Sequence, residues 1–184
     1  CLIAATNGKA QLPNTFPALV KQQMPKVVEW RRDFHQHPEL SMQEVNTAAK
    51  VAALLRSWGL EVQTGMAKTG VKAILKGGLP GGVVALRADM DALPVSGPAT
   101  LPFASTATGK LNNQAVGIMH ACGHDAHTAI LLGAAEILSK MKKDVPGTVV
   151  FIFQPAEEGP PPGEKGGAPL VVEEGALQSP KVDV

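Results

Sequence analysis

Apolar residues along the chain change spacing several times, and each change marks an element. Over residues 16–35, Leu19, Val20, Met24, Val27 and Val28 recur at helical intervals. Pro25 lies inside that stretch without an amide hydrogen to donate, so it kinks this helix or starts a second one. The next helix is clearer: Val45, Ala48, Ala52 and Leu55 keep the helical spacing and Gly59 suits its stop. "SMQE" just before it has the form of a capping box, with Ser41 as cap and Glu44 reaching back.

Residues 61–64 and 71–76 read as extended, and "KGGLPGG" as a turn. Residues 83–88, inside "VVALRADMDALPV", predict a strand buried on both faces and ending in carboxylates. The small and polar residues 96–115 predict a loop. Helical spacing returns with Ile130, Leu131, Ala134, Ile137, Leu138 and Met141, and Lys140, Lys142 and Lys143 suit a helix C-terminus. "GTVVFIFQ" predicts a second fully buried strand, followed by the loop "PAEEGPPPGEKGG", a short helix near 168–174 and a strand beginning at "VDV".

Helices alternating with apolar strands predict an α/β fold, a sheet covered on both sides, and no internal repeat interrupts it. In such folds chemistry gathers at the carboxyl ends of strands, and "RADMD", "CGHD" and "PAEE" are expected there. With 184 residues and 45% apolar content, the chain suits one globular domain. A net charge of +1, 4% aromatics and no tyrosine argue against a nucleic-acid surface. No apolar run approaches the roughly 20 residues that span a bilayer. The sequence opens with "CLIAATNGKAQ" rather than methionine, and residues 1–16 read as a signal-peptide remnant or flexible terminus. The expected location is periplasmic or secreted; an acylated lipoprotein cysteine and a plain cytoplasmic terminus are the alternatives.

Two distant cysteines, Cys1 and Cys122, make no disulfide framework, which leaves Cys122 as a nucleophile, a buried thiol or a metal ligand. Cys122 and His124, one residue apart before a helix, can turn toward one cation, and the helix N-terminus is expected to lower the thiol pKa. His127, three residues on, shares the face of His124 and is a supporting partner. Glu157 and Glu158 follow a buried strand and divide naturally into a ligand and a general base. Asp89 and Asp91 point the same way if extended, to orient a histidine, bind metal or pair with Arg87. His35 and His37 have no assigned role.

Together, "WRRDFHQHPELSMQE", "VVALRADMDALPV", "GIMHACGHDAHTAILLGAAEIL" and "GTVVFIFQPAEEG" closely resemble the metal-dependent amidohydrolases. That family includes aminoacylases, hippurate hydrolases and auxin-amino-acid conjugate hydrolases, and is related to the zinc carboxypeptidases. The resemblance runs from about Val27 to Val184. It implies a mixed β-sheet flanked by helices, with 17–184 forming the N-terminal part of a two-metal catalytic domain. Cys122, His124 and Glu158 match metal ligands, Glu157 matches the general base and Asp91 the orienting aspartate. Related peptidases carry His-x-Asp where this chain has Asp89-Met90-Asp91, so Asp89 does not inherit the ligand role of that histidine. The implied reaction is amide hydrolysis of N-acyl amino acids or small peptides, Glu157 taking a proton from a water shared by two cations. Zinc or manganese, with cobalt as a further option, are the expected ions.

Family members are about twice as long, with two further histidine ligands and a satellite domain that helps form dimers. The expectation is therefore an incomplete site, a chain inactive by itself, and a homodimer at full length. The alternatives are a cysteine-nucleophile hydrolase, which leaves "PAEE" and the aspartates unused, and a non-catalytic metal-binding fragment. No nucleic-acid partner and no membrane span are expected.

Overall fold

The structure, a computed structural model, describes residues 14–112 and 114–184. Most of the expected signal remnant or flexible terminus lies outside the described residues. The ordered elements are α1 (Phe16–Gln36), α2 (Val45–Ser57), β1 (Glu61–Met66), β2 (Gly70–Lys76), β3 (Leu79–Asp89), β4 (Thr108–Leu111) and β5 (Gln114–Gly117). They continue with α3 (His124–Lys140), β6 (Pro146–Gln154) and α4 (Gly167–Glu173).

The main sheet has the order β1-β2-β6-β3. β1 and β6 both run antiparallel to β2, while β3 and β6 are parallel. Side-chain alternation divides β6 between two layers. Val149, Phe151 and Phe153 join Val71, Ala73, Leu75 and Ala88 beneath Val51, Leu55, Ala129 and Leu132 of α2 and α3. Val150 and Ile152 face the other way, toward Val171, Ala176 and Leu177. Phe151 and Phe153 are fully buried, each worth roughly 1.5–3 kcal/mol of apolar burial. The sheet is thus mixed and flanked by helices, as expected.

Four local expectations change. α1 runs through Pro25 as one helix of 21 residues. Pro25 and Lys21 are exposed, so solvent serves the carbonyl that the proline leaves unpaired. "SMQE" is not a capping box. Glu39 takes the exposed amides of α2 instead, accepting from Asn46 N at 3.1 Å and Thr47 N at 2.8 Å. β3 is not buried on both faces: it is the edge of this sheet, and burial begins only at Ala88 and Asp89. The predicted loop at 96–115 contains most of an antiparallel pair, β4 and β5, which forms a separate two-stranded sheet. "VDV" follows the outer side of β3, where Asp183 N donates to Val83 O at 2.9 Å and Ala85 N to Val184 O at 2.8 Å.

Candidate metal centre

The parallel register of β3 and β6 sets Asp89 opposite Gln154, so both chains leave the sheet at the same edge. After β3 the chain reaches Asp91; after β6 it reaches Glu157 and Glu158. α3 begins at His124 between them. "RADMD" and "PAEE" therefore lie at strand ends as expected, whereas "CGHD" lies at a helix start. Gly123 caps that helix with φ +110, a left-handed conformation that L side chains rarely adopt and that turns Cys122 back toward His124.

His124 is the hub. Its Nδ1 donates to the Asp91 carbonyl at 2.8 Å, which leaves Nε2 as its free nitrogen. Nε2 lies 3.6 Å from Asp89 Oδ1, 3.5 Å from Glu157 Oε2 and 3.8 Å from Glu158 Oε1. Burial alone would lower the pKa of His124, but the hydrogen bonds and charges of Asp91, with the charge of Asp89, outweigh it and raise it to about 9. A cation bound at Nε2 would displace that proton.

Asp91 fixes the loop rather than facing the solvent. Its carboxylate accepts from Glu157 N at 3.0 Å, Glu158 N at 2.9 Å and Ser41 Oγ at 2.7 Å. Burial opposes the charge, yet the hydrogen bonds from His124, Ser41 and these amides hold its pKa down to about 2. Ala156, just before the glutamates, is buried with φ 52, a strained position for a residue with a Cβ. Its amide is held by buried Glu44 Oε1 at 2.9 Å, while Thr69 Oγ1 donates to the other oxygen at 2.5 Å. Burial raises the Glu44 pKa.

Among the described residues, two groups of donors converge closely enough to hold a cation: Cys122, His124 and Glu158, and Asp89, His124 and His127. Within each, the ligand atoms lie within 4.8 Å of one another. In the second group His127 Nδ1 already donates to Asp89 Oδ1 at 2.7 Å, and Asp89 also meets Arg87 at 3.2 Å. In the first, a thiol, an imidazole and a carboxylate make a donor set suited to zinc. The donors present thus fit a divalent cation. Contrary to the expected lowering by the helix N-terminus, Glu158, as hydrogen-bond acceptor and then as charge, pushes the exposed Cys122 thiol up.

The structure therefore brings Cys122, His124, Glu157, Glu158 and Asp91 together. Sequence reasoning missed Ser41 and Glu44, whose spacing equally fits a helix cap. It also missed the work of His35, which donates to Asp125 at 2.8 Å beside Arg31 at 2.9 Å and ties α1 to the start of α3. His37 is exposed and its Nδ1 donates to Asp33 O at 3.0 Å, away from these groups. His120 is buried, and neither of its ring nitrogens has a hydrogen-bond partner among the described residues. Burial pushes its pKa down to about 4, leaving it neutral near pH 7.

Residues 85–184 match the model of peptidase family M20/M25/M40, a span that contains all the candidate metal ligands named above. The chain belongs to this family. It is 46% identical over 166 residues to an N-acyl-L-amino acid amidohydrolase of Geobacillus stearothermophilus, covering 90% of this chain and 41% of that relative. It is 45% identical over 153 residues to an N-acetylcysteine deacetylase of Bacillus subtilis, covering 83% of this chain and 37% of that one. Among solved structures, it resembles a dinuclear metal-binding M20 peptidase of Bacillus subtilis with TM-score 0.73 and 44% identity, over 85% of this chain and 40% of the other. The chain spans about two fifths of the length of the curated relatives it matches. No helix among the described residues is long and apolar enough to cross a membrane.

Proposed function

We propose that the protein hydrolyses the amide bond of N-acyl amino acids, with Cys122, His124 and Glu158 holding a divalent cation and Glu157 as general base. One observation carries the reading: Asp91 grips the amides of both glutamates and thereby sets the pair beside His124 Nε2. A bound cation would supply Lewis acidity, polarising the scissile carbonyl and acidifying water. Glu157, its side chain 39% exposed, takes a proton from the attacking water and returns it to the amide nitrogen as the carbon–nitrogen bond breaks. Glu158 and His124 act as ligands, and Asp91 as a positioning residue. Asp89 and His127 are the residues available to a second cation, which agrees with the dinuclear centre named for the Bacillus relative.

His124 belongs to both donor groups but has one free nitrogen, so these residues offer three donors to only one cation at a time. This supports the reading that the 184 residues alone are inactive. The cysteine-nucleophile alternative has less support, because the neighbour of Cys122 is a carboxylate that keeps the thiol protonated rather than a base that activates it. The test uses the protein as its gene encodes it, with bound metal quantified. Glu157→Gln is expected to lower kcat at least about 1,000-fold on N-acyl amino acids while metal content is unchanged. Retained turnover would overturn the assignment of Glu157. Full activity in a metal-stripped sample would overturn the metal reading itself.

A further inference from the structure

A cleft of about 210 Å³ opens directly against Glu158. Its walls come from four separate segments: Leu40 before α2, Leu93 and Pro94 after β3, Leu111 at the end of β4, and Pro160 and Pro161 beyond the glutamate pair. Among the described residues, Glu158 is the only charged one lining it. The hydroxyl of Ser41, one of its few polar groups, is already committed to Asp91.

An N-acyl amino acid has two dissimilar ends. The amine side carries an α-carboxylate, whereas the acyl side is neutral and, in longer acids, apolar. With Glu158 committed to the cation, a wall of apolar side chains that holds no Lys, Arg or His among the described residues offers the first no partner and receives the second. The carbonyl carbon must lie at the donor group that includes Glu158, and its own substituent is the acyl chain. The amide nitrogen leaves the same carbon on its other side, and of the two branches the neutral acyl chain is the one that this apolar lining matches. An apolar cavity of about 150 Å³ takes benzene, so this volume suits an aromatic ring or a chain of about six carbons better than a lone methyl.

We propose that this cleft is the acyl-binding subsite and selects medium-chain or aryl-acyl substrates over acetyl ones, with Leu111, Leu93 and Pro160 as its specificity-determining residues. The inference rests on the reading of Cys122, His124 and Glu158 as the metal centre. Leu111 is 38% exposed on β4, so it can be exchanged without opening the core.

The test loads the 184-residue chain with Co²⁺, follows its visible absorption, and titrates in the carboxylates that acyl release would produce. Octanoate and phenylacetate are expected to bind at least tenfold more tightly than acetate. Leu111→Gln should reduce that preference to threefold or less while the Co²⁺ affinity stays unchanged. Equal binding of all three acids by Co²⁺-loaded chain would overturn the subsite and leave the metal centre standing. A preference that survives Leu111→Gln would place the acyl group elsewhere and overturn the subsite as well. Failure to bind Co²⁺ at all would overturn the metal reading, and the subsite with it.

Discussion

The two ends of the parallel pair β3 and β6 are built for opposite purposes. At the amino end the strands meet backbone to backbone: a Cβ on Gly147 would lie 2.0 Å from Gly82 O, and one on Gly81 would lie 2.6 Å from Gly147 N. No side chain fits there, so the sequence places glycine. At the carboxyl end the same strands run out into Asp89, Asp91 and the glutamate pair, all within reach of a single imidazole. One end holds the strands in register, and that register brings the other end's charges together. A glycine cluster and a carboxylate cluster at opposite ends of the same two strands are therefore parts of one device.

The largest way to break this division is at the glycine end. Gly147 has φ +69, so Gly147→Ala adds both strain and a clash and is expected to cost about 3 kcal/mol. Urea unfolding would measure it, and molecules that remain folded should keep their Co²⁺ affinity. A stability loss of less than about 0.5 kcal/mol would show that the strands do not need this close approach.

The next effect is the reverse. Cys122→Ser should weaken divalent-metal binding by about 100-fold or more, yet leave the metal-free chain within about 0.5 kcal/mol of its original stability, because the thiol is exposed. Isothermal titration alongside thermal melts would separate the two quantities, and unchanged affinity would remove Cys122 from the centre.

Asp91→Asn tests the point where the two roles meet. The Asp91 pKa is lowered from 3.8 to about 2 in the folded chain, so its ionised form stabilises the fold above the unfolded value, and that contribution fades as pH falls through about 2. Asp91→Asn should therefore cost about 2 kcal/mol at neutral pH and lose the part of the acid sensitivity that lies between pH 4 and 2. Urea midpoints across that range would show it; parallel curves for the two proteins would mean that the carboxylate charge is not what holds the loop.

Much of this arrangement is legible in the sequence because its signals are local. The apolar run of "GTVVFIFQ" marks β6, and a thiol and imidazole one residue apart before a helix mark a candidate ligand pair. The parts that escape depend on partners far along the chain. Ser41 and Glu44 have the spacing of a capping box, but Asp91 and Ala156 claim their side chains, and Glu39 takes over the helix start. β4 and β5 lack an apolar alternation to announce them, since their residues are largely exposed and their pairing is local. Asn112, with φ 51 just after β4, is the one available hint, as asparagine tolerates that conformation in turns. The edge exposure of β3 follows from strand order, which hydrophobicity does not encode.

The grip of Asp91 on two consecutive amides has a consequence for how this sequence can vary in length. Beyond Gly159 the chain answers to the cleft and to the packing of Val171 and Ala176, not to the distance from the imidazole. Between Pro155 and Glu158 the count itself is fixed. Adding one residue would displace the glutamates by about 3.8 Å along the chain and present the wrong amides to a buried carboxylate. Insertions and deletions are thus excluded from this stretch even where point substitutions would be tolerated.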